Sequence, residues 1–410
     1  MMFRPSPSRK KIQASLFDAQ RLTLKDSIEL TAQSLLAFGA NHRHWAIAYS
    51  GGKDSSALVT VVIHLLESGA VPYPESLTVL YADTRQEIPP LYFSAMKMLN
   101  LLSQRGIKTQ VVLPELEDRY FVYMFGRGVP PPNNNTLRWC TPQIKVEPMI
   151  NALKRLRDEH GEKFLMLTGV RIGESAARDN RIALSCSRNG AECGQGWFQE
   201  TTPDNVADTL APLLHWRVCH VWDWLMFDAQ SLGFPTNLVA EVYGGEEANE
   251  MNARTGCIGC PLAEKDTVLD YIIGLPYWTY LAPLKQLKPL YRELRKFRHR
   301  LQQHGERNND GKLSSNPNRK GPLTMDARRY GLSVVLSIQS EINEVAHTQG
   351  HPEIDLINAE EQARIEELIV ANTWPKRWTG NEPRGDILLP LIYQSGAVQD
   401  ILPEFIGWTT

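Results

Sequence analysis

No stretch of this chain approaches the roughly 18 to 20 consecutive apolar residues that a membrane-spanning helix needs, and the basic residues 1–11 are not followed by the apolar core of a signal peptide. These absences predict a cytoplasmic protein with no membrane partner. Six cysteines in 410 residues are too few for a disulfide scaffold. The 28 Gly and 26 Pro fall short of the bias that marks fibrous or disordered chains, and no internal repeat is visible. What is present is an ordinary globular composition, 42% hydrophobic and 22% charged. The length suits one large α/β domain with elaborations, or two domains.

A net charge of -2 conceals an uneven distribution. Residues 285–329 hold thirteen Lys or Arg against four Asp or Glu, an excess of nine that leaves the rest of the chain at about -11. A basic segment on an otherwise acidic protein is the electrostatic footprint of a polyanion partner.

The order of elements points to a nucleotide-binding fold. Residues 21–40 carry apolar positions at helical spacing and end in Gly, predicting a helix. The apolar run 45–49 reads as a buried strand, followed by the turn Ser50-Gly51-Gly52-Lys53-Asp54-Ser55 and an apolar helix over 56–66. Strands at 77–82, 107–113 and 164–170 alternate with a helix at 90–104, and 218–225 is amphipathic. Such alternation predicts a doubly wound, mostly parallel α/β sheet with helices on both faces, whose ligands lie at the carboxyl ends of the strands. Residues 180–208 read as a long functional loop and 305–321 as an exposed one. Beyond residue 234 the alternation stops and the chain turns mainly helical. The expected divisions are 1–235, 236–345 and 346–410.

The turn at 50–55 is the most specific signal. Two glycines let the backbone approach an anion, amide N-H groups form a concave nest at a helix N-terminus, and Lys53 with the hydroxyls of Ser50 and Ser55 supplies further contacts. The spacing is not that of a Walker loop. Asp83, closing the second strand, can hold a ribose hydroxyl, an adenine amino group or Mg²⁺. Arg171, after Thr168-Gly169 at another strand end, can pin phosphate oxygens as pyrophosphate develops, with Glu174 and Arg178 at helical spacing beyond it. Cys257-Ile-Gly-Cys260 is half a metal site. Cys140 supplies a third thiolate, and Cys193, between Glu192 and Gly194 in the long loop, is the preferred fourth over Cys186 and Cys219, the latter expected on a packed helix face. Four thiolates suit either zinc or a 4Fe-4S cluster.

The sequence S-G-G-K-D-S after a buried strand resembles the pyrophosphate loop of the ATP pyrophosphatase superfamily, which implies an adenine nucleotide alpha hydrolase-like fold and cleavage of ATP between its α and β phosphates. The order of S-G-G-K-D-S, R-W-C-T-x-x-x-K-x-x-P, G-V-R-x-x-E-S and C-x-x-C is similar to the adenylylsulfate and phosphoadenylylsulfate reductases, whose iron-sulfur members imply a 4Fe-4S cluster rather than zinc on Cys140, Cys193, Cys257 and Cys260. Trp139 stands where that family has the first cysteine of a Cys-Cys pair, and no cysteine follows Cys260. Sulfonucleotide reduction is therefore not expected. Glu264-Lys265-Asp266 and the segment G-P-L-T-M-D-A-R-R at 321–329 resemble the DNA phosphorothioation sulfurtransferases of the DndC and SspD type. That resemblance, gapped over 24–342, implies an ATP pyrophosphatase in a bacterial anti-phage defence system. It implies ATP and Mg²⁺ as cofactors, with Lys53, Asp54 and Arg171 as catalytic residues and Ser50, Gly51, Gly52, Ser55 and Asp83 holding the nucleotide. DNA, a cysteine desulfurase and other phosphorothioation-system proteins are the implied partners. A tRNA thiolase and an ATP-binding scaffold are the alternatives.

Overall fold

The computed structural model describes residues 22–133, 137–172, 205–243, 256–302 and 320–386, with short backbone stretches at 391–392 and 397–399. Glu174, Arg178, Cys186 and Cys193 lie outside the described residues. Five strands form one sheet in the order β3-β2-β1-β4-β5, all pairs parallel. They are β1 His44–Tyr49, β2 Ser76–Ala82, β3 Lys108–Val112, β4 Phe164–Leu167 and β5 Ala207–Leu210. The sheet is doubly wound as predicted. The chain builds outward from β1 through β2 to β3, then returns to lay β4 on the free edge of β1, the kind of reversal at which open α/β sheets bind ligands.

Strand periodicity divides the core between the two faces. Trp45, Ile47 and Tyr49 join Val79, Tyr81, Leu165 and Leu167 in the larger cluster, against helices α2 Lys53–Glu67 and α3 Pro89–Gln104. Ala46, Leu80, Val112, Phe164 and Met166 pack on the opposite face against Ala152, Leu153 and Leu156 of α4 Glu147–His160. The first helix, α1 Leu24–Gly39, starts in a capping box between Thr23 and Asp26, which satisfies N-H groups left orphaned at a helix start.

Three local expectations are corrected. The long-loop reading of 180–208 ends early, because Ala207 and Asp208 already belong to edge strand β5. The helix expected from residue 56 begins at Lys53, inside the glycine turn itself. Cys219, expected on a packed face of α5 Val218–Asp223, is exposed, while His220, Val221 and Trp222 form the buried side.

Beyond β5 the chain is mainly helical, with α6 Asn237–Tyr243, α7 Thr267–Ile272, α8 Leu287–Leu294, α9 Met325–Gln349 and α10 Ala359–Val370. Helices α9 and α10 pack on a π-helical turn, Val122–Gly126, so the C-terminal region is joined to the sheet domain through the segment that follows β3. Among the described residues no helix is long and apolar enough to cross a membrane.

Candidate functional site

The glycine turn sits where β1 meets α2. Gly51 has φ of +73°, in the region that disfavours any side chain, and a Cβ there would also lie 3.3 Å from the Cβ of Ala95. The Ser55 hydroxyl is committed to the turn. It accepts from the Ser50 backbone N-H at 3.2 Å and donates to the Gly52 carbonyl at 3.0 Å. This staple fixes the loop at the N-terminus of the 15-residue α2, which starts without a side-chain cap. An uncapped helix start of this kind is an anion site in waiting.

Asp54 is held from two sides. Arg171, only 3% exposed, donates its Nε to Asp54 Oδ1 at 2.6 Å and its Nη1 to the Trp216 carbonyl at 3.0 Å. The Lys53 ammonium lies 3.3 Å from Asp54 Oδ2 and 5.1 Å from the centre of the Tyr243 ring. Gly169 allows this convergence, since a Cβ there would come within 2.8 Å of the Asp54 carbonyl oxygen. Arg171 thus reaches the site as a positioning residue for Asp54. Tyr243 has no motif around it and was not legible in the sequence; its hydroxyl would lie 3.2 Å from a Cβ at Gly52, so it closes over the loop.

Asp83 is 5% exposed and its carboxylate accepts from the Arg85 backbone N-H at 2.8 Å. Beside it is a second carboxyl that the sequence did not single out, Glu87, which accepts from the Thr84 hydroxyl at 2.7 Å. Burial, and then the neighbouring Asp83 carboxylate, push Glu87 up to about 7 from an ordinary 4.5. The folded protein therefore keeps a proton that the unfolded chain has released. The stability this contributes is fully present below the unfolded value and is lost as pH rises through the folded one. Glu87→Gln is expected to flatten the decline in thermal midpoint between about pH 5 and pH 8. An equally steep decline in the variant would remove Glu87 as its cause.

The turn carrying these carboxyls is anchored outward. Arg85 adopts φ of 61° and pairs with Glu361 of α10 at 3.2 Å and with Asp355 at 3.2 Å. Arg119 joins the same cluster, 2.7 Å from Glu360.

The cysteine motif docks on the other side of that turn, through the Ile258 N-H to the Gln86 carbonyl at 2.9 Å. Cys140, Cys257 and Cys260 are neighbours, with Cys260 bearing on Cys140 and both bearing on Cys257. Burial raises Cys140, while Cys257 is exposed. Among the described residues no group of three or more His, Cys, Asp or Glu is arranged to hold a metal ion. The expected fourth ligand, Cys193, is not among them.

The basic segment differs from a uniform cationic face. Arg300, 7% exposed, gives its guanidinium to the Lys320 and Gly321 carbonyls, and Arg295 bonds the Pro132 and Pro261 carbonyls. Arg328 is fully buried and donates to the carbonyls of Phe125 at 2.7 Å, Thr373 at 2.8 Å and Gly126. Lys288 is paired with Asp266 at 2.8 Å, while Lys296, Arg298 and His299 surround Glu293. The motif at 321–329 is accordingly a structural device. Thr324 caps α9 by accepting from the Ala327 N-H, and Arg328 ties that helix to the Val122–Gly126 turn.

A parallel, doubly wound sheet with a glycine turn and flanking cationic and acidic groups at its carboxyl edge defines an open α/β domain. Residues 44–230 match the family model described as the phosphoadenosine phosphosulfate reductase domain. That stretch is similar to the family model, and a helical C-terminal part follows it. No curated protein matches the chain. Among solved structures, phosphoadenylyl-sulfate reductase from Candida auris in a phosphate complex is 12% identical, covering 52% of this chain and 94% of that one, with a TM-score of 0.32. The U34-tRNA thiolase NcsA from Methanococcus maripaludis, with its 4Fe-4S cluster, is 14% identical over 66% of this chain and 80% of that one, with a TM-score of 0.33. FMN adenylyltransferase from Candida glabrata, in complex with FMN and an ATP analogue, is 16% identical over 53% of this chain, with a TM-score of 0.31; the chain spans 61% of that protein.

Proposed function

We propose that the protein is an ATP pyrophosphatase that activates a DNA backbone phosphate by adenylation for sulfur insertion, in a phosphorothioate-based defence system. The observation that carries this reading is the docking of the cysteine loop against the Asp83 turn, through Ile258 N-H and Gln86. It sets the cysteine loop on the acidic turn that follows β2, which supports bringing sulfur to the sheet edge that also carries the glycine turn. In this reading the uncapped start of α2 and Lys53 hold the β and γ phosphates, and Arg171 keeps Asp54 oriented. Asp83, with Glu87 beside it, would hold Mg²⁺ or the ribose; a close carboxyl pair is a donor set that a hard divalent cation favours.

A non-bridging phosphate oxygen of DNA attacks the α phosphorus of ATP, a bond to AMP forms, and pyrophosphate leaves. The terminal sulfur of a persulfide, supplied by a cysteine desulfurase partner, then attacks the DNA phosphorus and AMP departs with the oxygen; a thiol reductant cleaves the remaining S–S bond, leaving the phosphorothioate on DNA and a disulfide as the oxidised product. Cys140, Cys257 and Cys260, with Cys193, would hold a 4Fe-4S cluster, which supplies a sulfur-binding metal centre when bound. Soft thiolates are the donor set that an iron-sulfur cluster takes.

The deciding experiment is mass spectrometry of nuclease-digested DNA from cells with the gene, without it, and with the gene carrying Lys53→Ala. Phosphorothioate dinucleotides only with the intact gene support the reading. Thiolated tRNA nucleosides in their place would reassign the substrate to tRNA, and ATP binding without pyrophosphate release would leave a scaffold. Anaerobically purified protein is expected to carry about four irons per chain and to lose its cluster absorbance in Cys257→Ser. One tightly held zinc would overturn the cluster assignment.

A further inference from the structure

We propose that Tyr243 is a positioning residue for Lys53, its ring face steadying the ammonium that meets the phosphates, an inference that rests on the ATP pyrophosphatase reading above. Lys53 is 6% exposed, so its ammonium is largely stripped of water, and an ion so placed must be held by the protein. One hold is Asp54, whose Oδ2 lies 3.3 Å away, but the same carboxylate takes the 2.6 Å bond from the buried Arg171. Two cations thus share one carboxylate. The other hold is aromatic. Lys53 Nζ lies over the Tyr243 ring, 5.1 Å from its centroid, within the roughly 6 Å at which a ring quadrupole attracts a cation.

The ring is itself fixed. Tyr243 ends α6, is 8% exposed, and meets the Trp222 ring of α5 edge to face with centroids 5.5 Å apart. Helix α6 packs on α3, the helix whose Ala95 lies under Gly51. The Tyr243 hydroxyl stands against the turn, 3.2 Å from where a Cβ of Gly52 would lie. One side chain therefore spans both the glycine turn and the lysine that opens α2. A π face differs in kind from a carboxylate. It attracts a cation without a directional hydrogen-bond acceptor, so the ammonium can turn its donors to phosphate oxygens and keep that contact. A donor held in place before the reaction is what makes its charge effective as pyrophosphate develops.

The test replaces Tyr243 in the full-length chain by phenylalanine, and then by mono-, di- and trifluorinated phenylalanine, which keep the ring's shape while fluorine withdraws electron density from its face. Pyrophosphate release from ATP and calorimetric affinity for inorganic pyrophosphate should both fall stepwise, by about tenfold from Tyr243→Phe to the trifluorinated ring. Thermal midpoints along the series should stay together, since the packing against Trp222 is kept. In a Lys53→Ala background the same series should be flat, because the ring has no ammonium to act on, whereas a purely structural role would cost both backgrounds alike. A flat series with Lys53 present, or an equal decline in both backgrounds, would overturn this inference alone. Wild-type protein that releases no pyrophosphate from ATP would overturn it together with the ATP pyrophosphatase reading.

Discussion

Lys53→Ala is expected to lower pyrophosphate release from ATP by about 10²- to 10³-fold, the usual cost of losing one preorganised donor to developing charge. Lys53 opens α2 directly after the two glycines, is 6% exposed, and rests between Asp54 and the Tyr243 ring. The fold should survive, because Asp54 keeps its 2.6 Å bond from Arg171 and the apolar face of α2 is unaltered. Asp54→Ala should be at least as damaging, since it leaves the buried Arg171 without its carboxylate partner. Pyrophosphate assays on both variants, with circular dichroism as the folding control, decide the matter. Undiminished release in Lys53→Ala would remove the loop from catalysis.

Arg328→Met is expected to destabilise the protein by about 3–5 kcal/mol, among the largest effects a single substitution produces. Methionine fills much of the same space but leaves three carbonyls, those of Phe125, Gly126 and Thr373, without the guanidinium that serves them. The adjacent Arg329 is the control. Its side chain is 60% exposed and only 4.0 Å from Asp326, an ion pair at the limit of contact, so Arg329→Ala should fall within about 0.5 kcal/mol of wild type. Denaturant unfolding of the two variants compares them directly, and equal stabilities would show that the carbonyl bonds contribute little.

The sheet and its loop were legible in the sequence because apolar runs such as 45–49 end abruptly in glycine, a pattern with few physical alternatives. Edge strand β5 was not. Ala-Asp-Thr-Leu at 207–210 is four residues long, half-polar, and embedded in a stretch rich in turn formers. The π-helical turns Val122–Gly126 and Pro142–Val146 break helical periodicity by construction and leave no spacing signal. At the site, Lys53, Asp54 and Arg171 converge, but Tyr243 and Glu87 enter only through folding, as their neighbours in sequence mark nothing. Charge counting over 285–329 could not separate arginines facing solvent from Arg295, Arg300 and Arg328, whose guanidiniums bond backbone carbonyls.

The bond from Arg85 to Glu361 sets a limit on how the molecule can be divided. Glu361 is 2% exposed and also closes the capping box of its own helix with Asn358, so the anchor that steadies the Asp83 turn is built from residues some 275 positions downstream. A truncation ahead of that helix would leave every residue of the nucleotide loop in place and still release the acidic turn. For anyone trimming the chain for expression, or reading a nonsense allele that spares the loop, the expected result is an acidic turn that has lost its anchor while the glycine turn keeps its full sequence.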